Sequence, residues 1–292
     1  MIKTSPHPLD HLVLPTHSLD VARSRLSSLG FVVAPTGIHP FGTENACVFF
    51  ADGTYLEPLA VGDDKTADQA IGEGNVFVAR DRLYRNSLGD EGFSAVVFGT
   101  PDSDADHARY IEAGLSAGDM LSFSRVFTDP SGKSDRASFK LAFATGGKDT
   151  DAFLFACQRI NAPTIDRTAL QAHANGVGGI VEIVAVSNAP SSQCKLLATA
   201  AGTVPEDEGD WVELPNAALT VMAPDAFTSR FAVPAGASSA LRFAAIVFST
   251  RGNAATARAL ADGGIEHNMS GGDIVVPPAP GQGAAFIFRE IP

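Results

Sequence analysis

The element order that decides the fold begins at residues 10–15, which read DHLVLP. This apolar run has the length of one strand, and residues 18–30, SLDVARSRLSSLG, follow it with apolar side chains at helical spacing. Ser18 suits a helix N-cap, and Gly30 suits the position just after the last turn. Extended runs rich in β-branched and aromatic residues follow at 31–33, 46–50 and 55–61. The order predicted is strand, helix and three strands.

The same order returns three more times along the chain, with first strands predicted at 94–98, 181–186 and 243–248. Each helix has one apolar stripe that must cover one face of its own strands, which leaves the opposite face free to cup a ligand. The predicted fold class is therefore α+β, with four βαβββ modules paired into cupped mixed or antiparallel sheets. A polar, Gly/Ala-rich stretch at 161–179 predicts two domains of two modules each, at residues 1–165 and 175–292.

Composition excludes several classes of partner. The chain has 292 residues and a formal net charge of −12, with no run of Lys and Arg, so neither a nucleic acid nor an anionic membrane surface is an expected partner. The three cysteines are far apart and predict a reducing compartment rather than a disulfide scaffold. The N-terminal residues lack a signal-peptide layout, and no apolar run is long enough to span a membrane. The expected location is cytoplasmic.

Two polar side chains stand in apolar strands of the first module. His11 lies in the first predicted strand, and Glu57 lies in the last, between Leu56 and Pro58. A carboxylate in such a strand is costly unless it is paired or binds a cation, and imidazole with carboxylate suits Zn, Fe, Mn, Ni or Co. The alternatives are a His11 ring bonded to a backbone carbonyl and a Glu57 on an edge strand facing water, which Pro58 favours.

Several segments resemble the opening of glyoxalase-like domains in the vicinal oxygen chelate superfamily. They read DHLVL at 10–14, SLGF at 28–31, HPFGTEN at 39–45 and DGTYLE at 52–57, and HANG at 173–176 resembles the segment that often precedes the second half of such proteins. The superfamily pairs βαβββ modules around a metal and includes glyoxalases, extradiol dioxygenases, epimerases and antibiotic-resistance proteins. The resemblance implies that His11 and Glu57 are ligands of a divalent metal.

The segment at 39–45 carries the predicted substrate-binding residues. His39, Thr43 and Asn45 are expected at the mouth of the cavity, where their side chains would donate hydrogen bonds to a ligand. The alternative is a turn that the Thr and Asn side chains stabilise.

The other modules depart from the superfamily pattern. When the first strands are overlaid, Ala95, Glu182 and Ala245 fall opposite His11. The positions opposite Glu57 hold Phe155, Thr220 and Ile287. No second His/Glu pair exists, whereas catalytic metal sites usually have three protein ligands. The third ligand stays open between His39, His173 and Glu182, and no catalytic base is evident.

Three functions follow as hypotheses. The first is a metal-dependent lyase or isomerase that acts on a small oxygen-bearing substrate through Lewis-acid chelation. The second is a metal-free protein that sequesters a small molecule. The third is an extradiol-type dioxygenase, which needs a His, His, Glu set in the second half, where His267 is the only histidine after residue 178. A homodimer that completes the site is a further alternative.

Overall fold

The computed structural model describes residues 5–128, 134–147, 152–162, 166–204, 209–236 and 240–291. Within these residues the chain forms two mixed sheets with helices packed on them, which confirms the predicted α+β class. None of the helices in the described ranges is long and apolar enough to cross a membrane. Residues 1, 165 and 292, at which predicted domain limits fall, lie outside the described residues.

The first sheet is built from two modules joined by a pair of helices. Its elements are β1 (Leu9–Pro15), α1 (Leu19–Ser28), β2 (Gly37–Ile38), β3 (Thr43–Asn45), β4 (Val48–Phe49), β5 (Tyr55–Val61), α2 (Asp64–Gly72), α3 (Val76–Leu88), β6 (Ala95–Gly99), α4 (Ser103–Glu112), β7 (Leu121–Thr128), β8 (Ser134–Ala144) and β9 (Phe153–Asn161). The strand order is β2-β3-β5-β1-β6-β9-β8-β7, with β4 also paired to β5.

The second sheet follows a 3₁₀ helix (Thr168–Gln171) and has the order β11-β12-β10-β13-β16-β15-β14. Its elements are β10 (Val177–Val186), α5 (Pro190–Ala200), β11 (Trp211–Glu213), β12 (Ala218–Met222), α6 (Pro224–Phe231), β13 (Arg242–Thr250), α7 (Asn253–Asp262), β14 (Asn268–Ser270), β15 (Asp273–Val276) and β16 (Ala285–Glu290).

Both sheets are assembled by the same rule. The first strand of each module pairs in parallel with the last strand of that module, as β1 does with β5 and β10 with β12. The first strands of two modules then pair antiparallel at the centre of the sheet, β1 with β6 and β10 with β13. Modules one and two thus share the first sheet, and modules three and four share the second.

Alternation along β1 sets which side chains reach each face of the first sheet. Leu12 and Leu14 lie in an apolar core that includes residues of both sheets, such as Ile183 and Phe248. Val13 points the other way, into a cluster on the cupped face. His11 shares that parity with Val13, so β1 delivers its imidazole to the cup.

Local details differ from the prediction. No strand forms at 31–33; Phe31 is buried among rings of both sheets, including Phe50 and Phe248, so packing rather than pairing holds this segment. Helix α2 was not predicted, although Asp63 caps it by accepting hydrogen bonds from two backbone amides. In the described part of module three, the two strands that the sequence predicts after the helix, near 211–214 and 218–222, are present as β11 and β12.

Candidate metal and ligand site

The structure brings the two predicted metal ligands together. The parallel register places His11 beside Tyr55 and Val13 beside Glu57, so that His11 and Glu57 are diagonal neighbours on the same face. Nε2 of His11 lies 3.2 Å from Oε2 of Glu57, and the two side chains are only 5% and 7% exposed. The predicted convergence of an imidazole and a carboxylate on the cup is therefore present in the fold.

The alternative that Pro58 favoured, in which Glu57 lies on an edge strand and faces water, is wrong. Strand β5 lies inside the sheet, between β1 on one side and β3 and β4 on the other. Glu57 and Pro58 face the break between β3 and β4, because β3 pairs with residues 59–61 of β5 and β4 with residues 55–56. A proline at this point therefore interrupts no ladder on the side of the break.

The other ring nitrogen of His11 is fixed by the carboxylate of Asp10. Its Nδ1 atom lies 2.7 Å from Oδ1 of Asp10, and the same oxygen accepts a hydrogen bond of 2.8 Å from Nη2 of Arg159. The ring stacks on Tyr55, with centroids 4.4 Å apart, and meets the edge of Phe155. With Nδ1–H donating to Asp10, Nε2 is the nitrogen presented to Glu57 and the cavity.

The loop residues predicted to bind substrate also reach this point. Asn45 donates a 2.6 Å hydrogen bond from Nδ2 to Oε1 of Glu57. His39 lies 2.9 Å from the hydroxyl of Thr43 through Nδ1, while its Nε2 lies 3.4 Å from Nδ2 of Asn45 and 3.7 Å from Oε1 of Glu57. All of these side chains are buried. Their role toward a substrate stays a prediction.

Burial and pairing shift the charges of the site in opposite directions. Burial opposes ionisation of Glu57, but its hydrogen bond to His11 and the nearby imidazole charge lower its pKa to about 2. Burial also disfavours the imidazolium of His11, yet the hydrogen bonds to Asp10 and Glu57 outweigh it and raise the pKa. For His39 burial dominates and lowers the pKa to about 4, so this ring is neutral near pH 7.

Aromatic side chains form the walls around these polar groups. The cavity has a volume of about 40 Å³, enough for an ion or a water molecule. Arg125 of β7 adds one cation to the wall. The apolar lining residues are Phe41, Tyr55, Phe77, Phe123, Phe139, Leu141 and Phe155, and Cys157 completes the set.

His173 and Glu182, the other two candidates for a third ligand, have partners elsewhere. His173 accepts a 3.0 Å hydrogen bond from the backbone N–H of Val32 at Nδ1, and its Nε2 bonds the carbonyl oxygen of Phe49. Glu182 binds Arg230 and Arg289 in the second sheet and accepts a hydrogen bond from the hydroxyl of Thr220. Of the three candidates, only His39 lies beside Glu57.

The parallel registers support the overlay of modules made from the sequence. Ala95 is beside Phe153, Glu182 beside Ala218 and Ala245 beside Ala285, as His11 is beside Tyr55. Thr220 therefore takes the place of Glu57 in module three, and it hydrogen-bonds Glu182 where Glu57 meets His11. Among the described residues, no group of three His, Cys, Asp or Glu side chains is arranged to hold a metal ion.

Sequence reasoning missed Arg125, Phe123 and Phe139, which come from module two. No local signal marks them, because they reach the site only through the curvature of the sheet. The curvature brings edge strand β7 to edge strand β2, where a Cβ atom at Gly37 would lie 2.7 Å from Nη1 of Arg125. Asp10 was detectable, since an acidic residue directly precedes the candidate ligand.

Paired βαβββ modules with a polar cluster in the cup define the vicinal oxygen chelate fold. Two solved structures share it over nearly their whole lengths. A hypothetical protein from Staphylococcus aureus aligns with a TM-score of 0.65 at 13% identity, covering 97% of this chain and 99% of that chain. A mutant of 4-hydroxymandelate synthase from Streptomyces coelicolor aligns with a TM-score of 0.60 at 12% identity, covering 98% and 93%.

At the level of sequence, the profile of the glyoxalase-like domain family matches residues 9–201. The match spans both modules of the first sheet and continues through β10 and α5 of the second. No curated protein sequence gives a significant match. The chain belongs to the glyoxalase-like domain family.

Proposed function

We propose that this protein binds a small oxygen-bearing molecule in the cup of the first sheet and acts on it as a metal-dependent lyase or isomerase. The observation that carries the proposal is the buried contact of 3.2 Å between Nε2 of His11 and Oε2 of Glu57. His11 and Glu57 would hold the divalent ion, which would be Zn, Ni, Fe, Mn or Co. When bound, the ion would act as a Lewis acid toward adjacent substrate oxygens.

The chemistry of the donor set fits a cation. Because Nδ1 of His11 donates to Asp10, its Nε2 atom presents a lone pair to the Glu57 carboxylate unless a proton or a metal ion lies between them. A ligating histidine whose other nitrogen donates to a carboxylate is a recurrent arrangement in metal sites. Of the candidates for a third donor, His39 lies nearest, with Nε2 3.7 Å from Oε1 of Glu57, but among the described residues these three side chains are not arranged to hold an ion without a shift of His39.

The remaining residues of the site have roles that do not depend on the ion. Asn45 holds one oxygen of Glu57, which leaves the other oxygen for His11 or a ligand. The phenylalanine walls lower the polarity around the polar groups, and this strengthens the electrostatic interactions inside the cup. A cavity of about 40 Å³ is small beside typical ligand pockets, so binding of a substrate requires the walls to move.

Elemental analysis tests the metal assignment. The protein is purified without chelators or a His tag, and His11→Ala and Glu57→Gln are compared with His17→Ala, whose side chain is 79% exposed. We expect about one transition-metal ion per chain in the wild type and in His17→Ala, and loss of most of it in the two site variants. Unchanged metal content in His11→Ala and Glu57→Gln would contradict the assignment.

A second candidate is a metal-free binding protein. The described residues contain no ready three-donor group, and Glu57 already has His11 and Asn45 as partners. This function predicts no metal after loading with Zn, Ni, Fe, Mn or Co, and ligand binding that survives Glu57→Gln.

The dioxygenase hypothesis receives no support in the described part of the second sheet. At the positions that match His11 and Glu57, that sheet has Glu182, Thr220 and Ala245, and Glu182 is bound to two arginines. The cytoplasmic location and the homodimer stay predictions.

A further inference from the structure

We propose that Arg125 forms an anion subsite and that the molecule bound in the cup is a small carboxylate with an apolar or aromatic body. The proposal rests on the function proposed above in one respect, namely that the cup is the ligand site. It deepens that function by naming the chemical class of the ligand.

Arg125 is a cation at the cavity that has no acidic partner among the described residues. It lines the same cavity as His11 and Glu57, and its side chain is half-buried on β7. Its guanidinium lies 5.9 Å from the ring centroid of Phe139. In the part of the chain that the structure describes, the buried Nε atom has no hydrogen-bond partner and no carboxylate forms an ion pair with this residue.

Two other arginines of the first two modules have acidic partners. Arg159 binds Asp10 at 2.8 Å, and Arg85 binds Asp81 at 2.7 Å. A buried guanidinium N–H that gives up water without gaining an acceptor is destabilising. A ligand carboxylate would supply the acceptor, since its two oxygens match the guanidinium fork.

Gly37 connects this cation to the polar end of the cup. A Cβ atom at Gly37 would lie 2.7 Å from Nη1 of Arg125 and 2.5 Å from Oδ1 of Asn45, so both groups pack against the same glycine. Asn45 in turn donates to Glu57. A carboxylate bound at Arg125 is thereby adjacent to the His39, Asn45 and Glu57 cluster, where its neighbouring oxygen function can be bound.

The walls determine the rest of the ligand. The rings of Phe41 and Phe123 are 5.2 Å apart, and the rings of Phe123 and Phe139 stack at 5.1 Å beside the guanidinium. Rings in such contact favour a planar or apolar body. One cation among aromatic side chains is the combination that recognises a monoanion with an apolar remainder.

The test compares phenylacetate with phenylacetamide, which has nearly the same shape without the charge. Binding is measured by NMR or calorimetric titration of the full chain, in the wild type, Arg125→Gln, Arg125→Lys and Arg136→Gln. Arg136 is the matched control. It is an exposed arginine on β8, and it lies opposite Val126, the residue that follows Arg125 on β7. Thermal melting confirms that each variant folds.

We expect the wild type to prefer phenylacetate by about tenfold or more. Arg125→Gln should remove this preference by weakening phenylacetate binding much more than phenylacetamide binding, while Arg125→Lys keeps part of the preference and Arg136→Gln keeps all of it. Equal preference in Arg125→Gln and the wild type, or binding of neither probe, would overturn the proposal. Failure of the metal assignment is separate, because it is detected as unchanged metal content in Glu57→Gln, whereas failure of this proposal is detected as an unchanged charge preference in Arg125→Gln.

Discussion

At the scale of single residues, the site depends on how His11 is oriented. Its ring is stacked on Tyr55 and tied through Nδ1 to Asp10, which Arg159 holds in turn. This chain of contacts presents Nε2 to the cavity and keeps the ring from turning. Asp10 therefore acts on the site through His11 and not by contact with a ligand.

Asp10→Asn tests this positioning role. The amide keeps the size of the side chain and one oxygen that Arg159 and His11 can share, but it loses the negative charge. We expect metal affinity to fall about 10- to 100-fold, as changes behind a ligating histidine do, with only a small change in melting temperature. Competition titration with a metal chelator measures the effect, and Asp20→Asn on the exposed face of α1 is the control. Equal affinity in both variants would refute the role of Asp10.

The thiols give a second test at this scale. All three cysteines are buried and form no disulfide among the described residues, and burial raises the pKa of Cys47 to about 12. The thiolate is the reactive form, so the folded protein should resist iodoacetamide at about pH 8, whereas the unfolded chain should react at every thiol. Mass spectrometry of native and urea-treated samples counts the alkylated sites. Rapid labelling of Cys157 in the native protein would mean that the cup opens often, because this thiol lines the cup.

Residue-scale prediction from sequence succeeded where a polar side chain interrupts an apolar pattern. His11 and Glu57 stood out in this way, and the fold places them 3.2 Å apart. Arg125 did not stand out, because charged residues are common on hairpins such as β7–β8, and only the approach of β7 to β2 makes its position special. Contacts between edges that are distant in sequence leave no local signal.

At the scale of elements, the loop between β2 and β3 depends on Gly42. This residue has φ +86°, and a Cβ atom there would lie 2.5 Å from the backbone nitrogen of Ala67 in α2. The carbonyl oxygen of Gly42 also accepts hydrogen bonds from Gly62 and Asp63, where β5 leads into α2. Helix α2, which was not predicted, thus fixes the position of the loop that contains His39 and leads into Thr43 of β3.

Gly42→Ala should therefore be far more disruptive than a matched glycine change. Gly53→Ala is the control, since Gly53 has φ +92° with open space around its Cβ position. In the control, the free energy of unfolding should fall by about 1–2 kcal/mol from backbone strain alone. It should fall further in Gly42→Ala, because the backbone of α2 must also move. Urea unfolding measures the change in both variants. Equal losses would show that α2 does not hold the loop.

At the scale of the whole molecule, repetition explains what the sequence revealed and what it concealed. The four first strands and their helices were predicted because each repeats one pattern of apolar run, helix and glycine. Pairing of β1 with β6 and of β10 with β13 could not be read from that pattern, because every module offers the same edge. The short strands β2 and β14 were missed because two or three residues carry no periodicity.

The repeat also shows how the second sheet differs from the first at the position that matches His11. Glu182 occupies the place of His11, but Arg230 and Arg289 bind it, so an ion pair stabilises the sheet there. Burial disfavours the Glu182 carboxylate, yet the hydrogen bond and charge of Arg230 outweigh burial and lower its pKa. A lowered pKa stabilises the fold above the unfolded pKa of about 4.5, and the contribution disappears as pH falls through the folded value.

Glu182→Gln should lower the free energy of unfolding by about 2 kcal/mol near pH 7 and by progressively less below about pH 4.5. Urea unfolding at several pH values measures this, with exposed Glu213→Gln as control, and a loss that is independent of pH would show that Glu182 contributes by packing rather than by charge.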